Sequence, residues 1–225
     1  MGGRWNWDRL AAGSGIVFVA LFVAGFLTAT KPPSLNATNS KWVHYALGHT
    51  KELKISSALF GLAVIAFLWF AGSLATRLRD SGERRLAMTF LAGVAGAVGT
   101  VGVLIAGQVA LVRIAVDSPG QVKSWVDFLQ LANIAVNFAT VAVIGTVAIA
   151  SLRSGVFPRW FGMLSGLAAV AFAFGGAAFA QSGFYAPDGG YAMIVNIVFA
   201  AWVLVTSGMM VMGIERAPRA AAIPA

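Results

Sequence analysis

Polar residues recur at regular spacing along one apolar segment of this 225-residue chain, where they could bind a ligand. They are separated by three, four and three residues and comprise Gln130, Asn133, Asn137 and Thr140. On an α-helix these positions share one face about 80° wide, because each residue turns the helix by about 100°. We call this face the amide stripe. An amide facing lipid is costly, so we expect this face to meet protein or water. Two interpretations stay open: hydrogen bonds between helices, or a polar pocket for a lipid or small neutral ligand.

Gln108 and Asn196 are assigned to the same candidate pocket. Each lies in a different apolar segment, in the half of its predicted helix that is nearer the outer side of the membrane. No amide falls in the opposite half of any predicted helix. This one-sided distribution favours a pocket open to the outer side of a membrane.

The second set of candidate residues is the only pair of histidines, His44 and His49. On a continuous helix they would lie about 140° apart, which is a poor arrangement for two metal ligands. Gly48 is a candidate helix break between them. Four acids predicted on the same side of the membrane could complete a metal site: Glu52, Asp117, Asp127 and Asp188. We nevertheless expect solvated or interfacial histidines, because metal-site spacings are absent.

Arginines form the third set, around one short connection. They are Arg77, Arg79, Arg84 and Arg85. Basic residues beside a membrane helix attract anionic headgroups, by about 1 kcal/mol each. We therefore expect contact with anionic lipids, with a cytoplasmic protein partner as the alternative.

The elements that must position these residues are six stretches without Asp, Glu, Lys, Arg or His, each 21 residues or longer. A bilayer crossing needs about 20 apolar residues. The sequence therefore predicts an all-α, polytopic membrane protein: a single domain over 1–215 with six transmembrane helices. The predicted helices span 11–30, 54–77, 86–113, 127–152, 159–181 and 191–214. Gly82 is expected to break the chain after the second helix, and Gly155 followed by Pro158 after the fourth. We expect an outer loop over 31–53, in which 41–47 could form a short surface helix, and a disordered tail over 216–225.

Basic residues predict the orientation. With six helices both termini lie on one side, and that side carries ten of the sixteen lysines and arginines. Cytoplasmic loops are enriched in these residues, so we expect cytoplasmic termini in a bacterial plasma membrane. The net charge of +8 lies beside helix ends, which favours lipid headgroups and not nucleic acid as partners.

The residues missing from the apolar stretches exclude several activities. Proton-coupled transport normally needs acids or histidines inside the membrane. The chain has no cysteine, both histidines lie in one predicted loop, and Ser165 has no histidine within a helix to activate it. We expect no cofactor and a non-enzymatic protein, with an outer-face metal enzyme as an alternative.

Small residues predict close helix packing. The third predicted helix contains Gly93, Gly96, Gly99, Gly102 and Gly107, and the fifth contains Gly162 and Gly166. Such spacing lets helix backbones approach closely. We expect packing within the bundle, with a homo-oligomer or a membrane-protein partner, for which the chain would be a scaffold, as the alternative.

Three short motifs resemble a broad group of uncharacterised bacterial six-helix membrane proteins. They are Leu47-Gly-His-Thr-Lys-Glu-Leu53, Arg84-Arg-Leu-Ala87 and Pro158-Arg-Trp-Phe-Gly162. The resemblance implies six helices and no established activity. It assigns no functional residues.

Overall fold

The computed structural model describes residues 2–176, 183–186 and 189–213, with side chains from Leu10 onward, and this part of the chain is helical. Its seven α-helices are α1 (Gly2–Thr28), α2 (Asn39–Gly48), α3 (Thr50–Asp80), α4 (Arg84–Asp117), α5 (Val122–Arg153), α6 (Arg159–Gly176) and α7 (Gly190–Met212). A 3₁₀ turn, Pro119–Gln121, joins α4 to α5. The predicted tail over 216–225 lies outside the described residues.

Apolar segments of this length suggest a membrane-embedded protein. Within the described ranges, five are long and apolar enough to cross a bilayer: Leu10–Thr28, Thr50–Asp80, Arg84–Asp117, Pro119–Arg153 and Gly190–Met212. The described part of α6 is 18 residues long and is not among them. Because its predicted helix, 159–181, runs beyond the described residues, the six crossings stay a prediction.

The long helices extend beyond the apolar stretches that predicted them. The predicted helix over 54–77 is α3, which begins at Thr50 and ends at Asp80. Those over 86–113 and 127–152 become α4 and α5, which are also longer. Charged residues such as Lys, Arg and Glu are good helix formers, so charge ends the apolar segment without ending the helix.

Glycine terminates two helices where the sequence predicts connections. Gly82, after α3, has φ +88°, and Gly155, after α5, has φ +73°. At the first site the N–H of Glu83 donates to Leu78 O and that of Gly82 to Arg79 O, which satisfies the last carbonyls of α3. At the second site Gly155 is followed by Pro158, which directly precedes α6. Both predicted breaks are confirmed.

The segment over 31–53 is more structured than a loop. It contains α2, which is longer than the helix suggested over 41–47, and α3 begins within it at Thr50. The side chain of Asn39 donates to Pro119 O (2.7 Å) and accepts from the Lys123 N–H (2.8 Å), which joins α2 to the α4–α5 connection. Trp42 and Ala46 are buried against α4 and α5. This segment therefore closes one end of the bundle, which we call the α2 end.

The six long helices form a closed circuit. Each packs on the next in the order α1, α3, α4, α5, α6 and α7, and α7 returns to α1. Aromatic rings from four helices fill the centre: Phe18, Phe67, Phe70, Phe161, Phe172, Phe199 and Trp202. The ring of Trp202 lies 6.4 Å from those of Phe70 and Phe161. Aromatic pairs of this kind add about 0.5–1.5 kcal/mol beyond their burial.

Small residues mostly pack inside the bundle. A Cβ on Gly162 of α6 would lie 2.9 Å from Ser151 Cβ of α5. One on Gly93 of α4 would lie 3.1 Å from Ala139 O of α5. Gly99 and Gly102 of α4 differ, because a Cβ there would meet nothing within 4 Å. Gly93 therefore allows α4 to pack closely on α5, whereas Gly99 and Gly102 leave part of the α4 surface open.

We predict opposite effects for alanine at two glycines. Gly162→Ala lowers the stability of the bundle by about 1–3 kcal/mol, because the added methyl group overlaps α5. Gly99→Ala is neutral or stabilises by up to about 1 kcal/mol, because alanine has the better helix propensity and its methyl group meets open space. Thermal unfolding of the purified variants in detergent measures both. Equal destabilisation by the two changes would contradict the packing described.

Candidate functional site

The six predicted ligand residues have different surroundings. Gln108 is half-buried and accepts a hydrogen bond from Ser57 of α3 (3.2 Å), so it joins two helices. Thr140 is buried and donates to Val136 O of its own helix (2.9 Å). The Asn196 amide likewise donates to Ala192 O (2.8 Å). Gln108 therefore forms a bond between helices, as one of the two interpretations expects, whereas the bonds of Thr140 and Asn196 lie within their own helices.

The other three predicted ligand residues all lie on α5 and are less buried than Thr140. Gln130 and Asn137 are half-buried, and Asn133 is exposed. A Cβ on Gly175 of α6 would lie 3.4 Å from the amide group of Asn137, so Asn137 packs on α6. None of the six predicted ligand residues lines either groove described below, and the pocket that they would form stays a prediction.

One groove of about 520 Å³ lies at the opposite end from α2, which we call the arginine end. Its walls come from α1 and the second half of α3. They comprise Ala11, Leu68, Trp69, Gly72, Ser73, Thr76, Arg77 and Asp80. Leu68 and Trp69 are exposed, Trp69 at 59%. The groove therefore changes along α3 from an apolar part to a polar part that contains both signs of charge.

Only one of the four predicted lipid-contact arginines lines this groove. Arg77 is half-buried, and its Nη2 donates to Met210 O near the end of α7 (3.0 Å). That contact holds a cation at the negative end of the α7 dipole. Arg79, Arg84 and Arg85 are exposed nearby in sequence, at the same α3–α4 connection. The arginine cluster thus contains one anchored and three solvent-facing side chains.

A second groove, of about 490 Å³, lies at the α2 end and contains both histidines. It is lined by Pro33, Ser40, Lys41, His44, Tyr45 and His49. His44 lies within α2, whereas His49 lies between α2 and α3 with non-helical angles (φ −121°, ψ 30°). The predicted break after Gly48 is confirmed, and it brings the two histidines to one groove.

The metal alternative gains little from this arrangement. Among the described residues, no group of three or more His, Asp or Glu side chains is placed to hold a metal ion. Asp188, one of the acids considered for such a site, lies outside the described ranges. His44 and His49 therefore stay a predicted metal pair that lacks a third ligand within the described part of the chain.

Ser165 has a structural partner. It is fully buried in α6, and its hydroxyl accepts a hydrogen bond from Trp202 Nε1 of α7 (2.9 Å). A buried indole N–H needs such an acceptor. This bond links two helices at the aromatic centre of the bundle.

Comparisons of the chain with protein-family models, with curated proteins and with solved structures find no match. The functional interpretation therefore depends on the geometry of these sites.

Sequence reasoning missed most of the groove at the arginine end. Trp69, Gly72, Ser73, Thr76 and Asp80 recur at spacings of three, one, three and four residues, which is one face of a helix. This spacing could have predicted the α3 wall of the groove. The position of α1 beside that wall could not be predicted from local sequence, because it depends on packing between distant segments.

We predict that the two asparagines of the stripe respond differently to leucine. Asn133→Leu changes stability by less than about 0.5 kcal/mol or increases it, because the amide is exposed. Asn137→Leu costs about 1–3 kcal/mol, because the two methyl groups that replace the amide oxygen and nitrogen are bulkier and overpack the contact with Gly175. Thermal unfolding in detergent measures the difference. The combined variant also tests the pocket hypothesis: if the protein keeps its fold and any co-purified ligand, the amide stripe is not a binding site.

Proposed function

We propose that the chain is a non-enzymatic, six-pass integral protein of a bacterial plasma membrane that binds a phospholipid in the arginine-end groove. In this proposal both termini and the arginine end face the cytoplasm. The greater number of basic residues at that end supports the orientation. The apolar helices support residence in the membrane.

The groove has the length and polarity gradient of a lipid-binding site. Leu68 and Asp80 are separated by twelve residues of α3, which is about 18 Å along the helix axis. An acyl chain would lie against Leu68, Trp69 and the flat surface at Gly72. Thr76, Arg77 and Asp80 lie one to two turns further along, where a headgroup would reach the interface.

The charges at the polar end favour a zwitterionic headgroup. Arg77 suits a phosphate, because its guanidinium group is always charged and the bond from Nη2 to Met210 O holds that charge at the groove. Asp80 is exposed and suits an ammonium group. A phospholipid whose headgroup carries phosphate and amine satisfies both. The observation that carries the proposal is this succession, within one groove, of an exposed apolar surface, an anchored arginine and an aspartate.

We predict that Gly72→Leu removes at least half of the phospholipid that co-purifies with the protein, because the new side chain occupies the groove. Nothing lies within 4 Å of a Cβ at Gly72, so the change is compatible with the fold. Gly99→Leu, at an open position of α4, is the matched control and keeps the lipid. Native mass spectrometry from gentle detergent counts the bound lipids. Asp80→Asn tests the headgroup, and we expect it to reduce the preference for amine-bearing over amine-free phospholipids.

Equal lipid retention by the Gly72 and Gly99 variants would contradict the proposal. The same spectra test the scaffold alternative, which the open face at Gly99 and Gly102 favours. A stoichiometric protein partner or second copy that Gly99→Leu displaces would support the scaffold.

A further inference from the structure

The groove at the α2 end places a lysine, two histidines and a serine on a lining whose exposed surface is mostly apolar, and the proposed lipid site does not use it. Lys41 and His44 are exposed on α2, and Ser40 precedes them. No Asp or Glu lines this groove. Its volume of about 490 Å³ falls in the range of small-molecule sites, about 300–1,000 Å³.

His49 is held in a defined orientation. Its Nδ1 lies 3.1 Å from Tyr45 O, and a carbonyl only accepts, so Nδ1 carries the proton. The His49 and Tyr45 rings also lie 4.9 Å apart, at 32° to each other. These two contacts leave Nε2 as the ring nitrogen available to a ligand.

The wall that carries these groups is fixed to the rest of the protein. The Tyr45 hydroxyl donates to Thr30 O (3.0 Å), which joins α2 to the segment that follows α1. The Asn39 side chain joins the start of α2 to the α4–α5 connection. The lining residues of α2 are therefore presented by a helix held at both ends, which limits the reorganisation that binding requires.

The local charge is positive. Between residues 31 and 54 the chain contains four lysines and two histidines, against one acid, Glu52. Glu52 does not line the groove. A metal ion would have two imidazole ligands, no carboxylate in the lining and the Lys41 ammonium as a neighbour. An anion would have the Lys41 ammonium, a His44 N–H and the Ser40 hydroxyl as donors, and the Nε2–H of His49 as well when that ring carries both protons.

We infer that this groove binds a phosphate-bearing ligand, contacted by Lys41, His44 and the Nε2 edge of His49. Lysine is a common phosphate ligand because its ammonium is a compact charge. The phosphate could belong to a lipid headgroup or to a water-soluble compound, since both present the same oxygens. The groove is larger than inorganic phosphate alone requires, and its mostly apolar lining favours a ligand with a further apolar part.

Titration calorimetry on the purified full chain tests this inference, in a detergent free of phosphate. One arm uses glycerol 3-phosphate and inorganic phosphate, and the other uses a short-chain phosphatidic acid, with the matching diacylglycerol as the phosphate-free control. The variant is Lys41→Gln combined with His44→Gln. Both residues are exposed, so the variant keeps the fold, which its melting temperature verifies. Lys51→Gln, an exposed lysine outside the lining, is the matched control.

We expect at least one phosphate compound to bind, and the double variant to weaken binding by about tenfold or more, because two charge-assisted contacts are lost. Lys51→Gln should change it less than about twofold, because an exposed lysine outside the lining makes no contact to lose. Binding in the soluble arm identifies a water-soluble ligand, and binding in the lipid arm alone identifies a headgroup. The absence of binding in both arms would overturn the inference, as would zinc binding in equilibrium dialysis that His44→Gln abolishes. The proposed lipid site lies at the opposite end, so either proposal can fail alone.

Discussion

Backbone polar groups have no water to bind inside a bilayer, and this constraint determines the distribution of every other polar group in the chain. In long helices the backbone N–H and C=O groups bond to each other, and ionisable side chains are confined to the helix ends. Arg77 lies in the last turn of α3, and Arg113 lies four residues before the end of α4. Binding chemistry that needs charge is consequently available at the two ends of the bundle, and both described grooves with charged linings are there.

The helices must associate without the hydrophobic effect that drives folding in water, because lipid tails are as apolar as leucine. Close packing at small residues supplies one contribution, as where Gly162 meets α5. Hydrogen bonds between neighbouring helices supply another: Ser57 to Gln108, Trp125 to Gly107 O and Trp202 to Ser165. Each is worth about 0.6 kcal/mol on average in a membrane. Many other embedded polar side chains donate to carbonyls of their own helix, as Thr140, Asn196 and Thr206 do, which leaves few of them for ligand binding.

The sequence was sufficient to predict the long helices and the turns at Gly82 and Gly155, because both depend on local composition and backbone freedom. It was not sufficient for α2 or for either groove. Asn39 binds Pro119 and Lys123, more than 75 residues away, and no local pattern indicates that contact. The amide stripe shows the same limit: periodicity placed Asn133 and Asn137 on one face, but only the packing of α6 distinguishes the exposed amide from the packed one.

The central claim is that the α2 end and the arginine end lie on opposite sides of one membrane. The chain has no cysteine, so Ser40→Cys and Arg84→Cys each introduce a single thiol at an exposed position. A membrane-impermeant maleimide applied to intact cells tests their sides. We predict that the thiol at position 40 reacts in intact cells and that the thiol at position 84 reacts only after the membrane is permeabilised. Equal labelling of both thiols in intact cells would contradict the account.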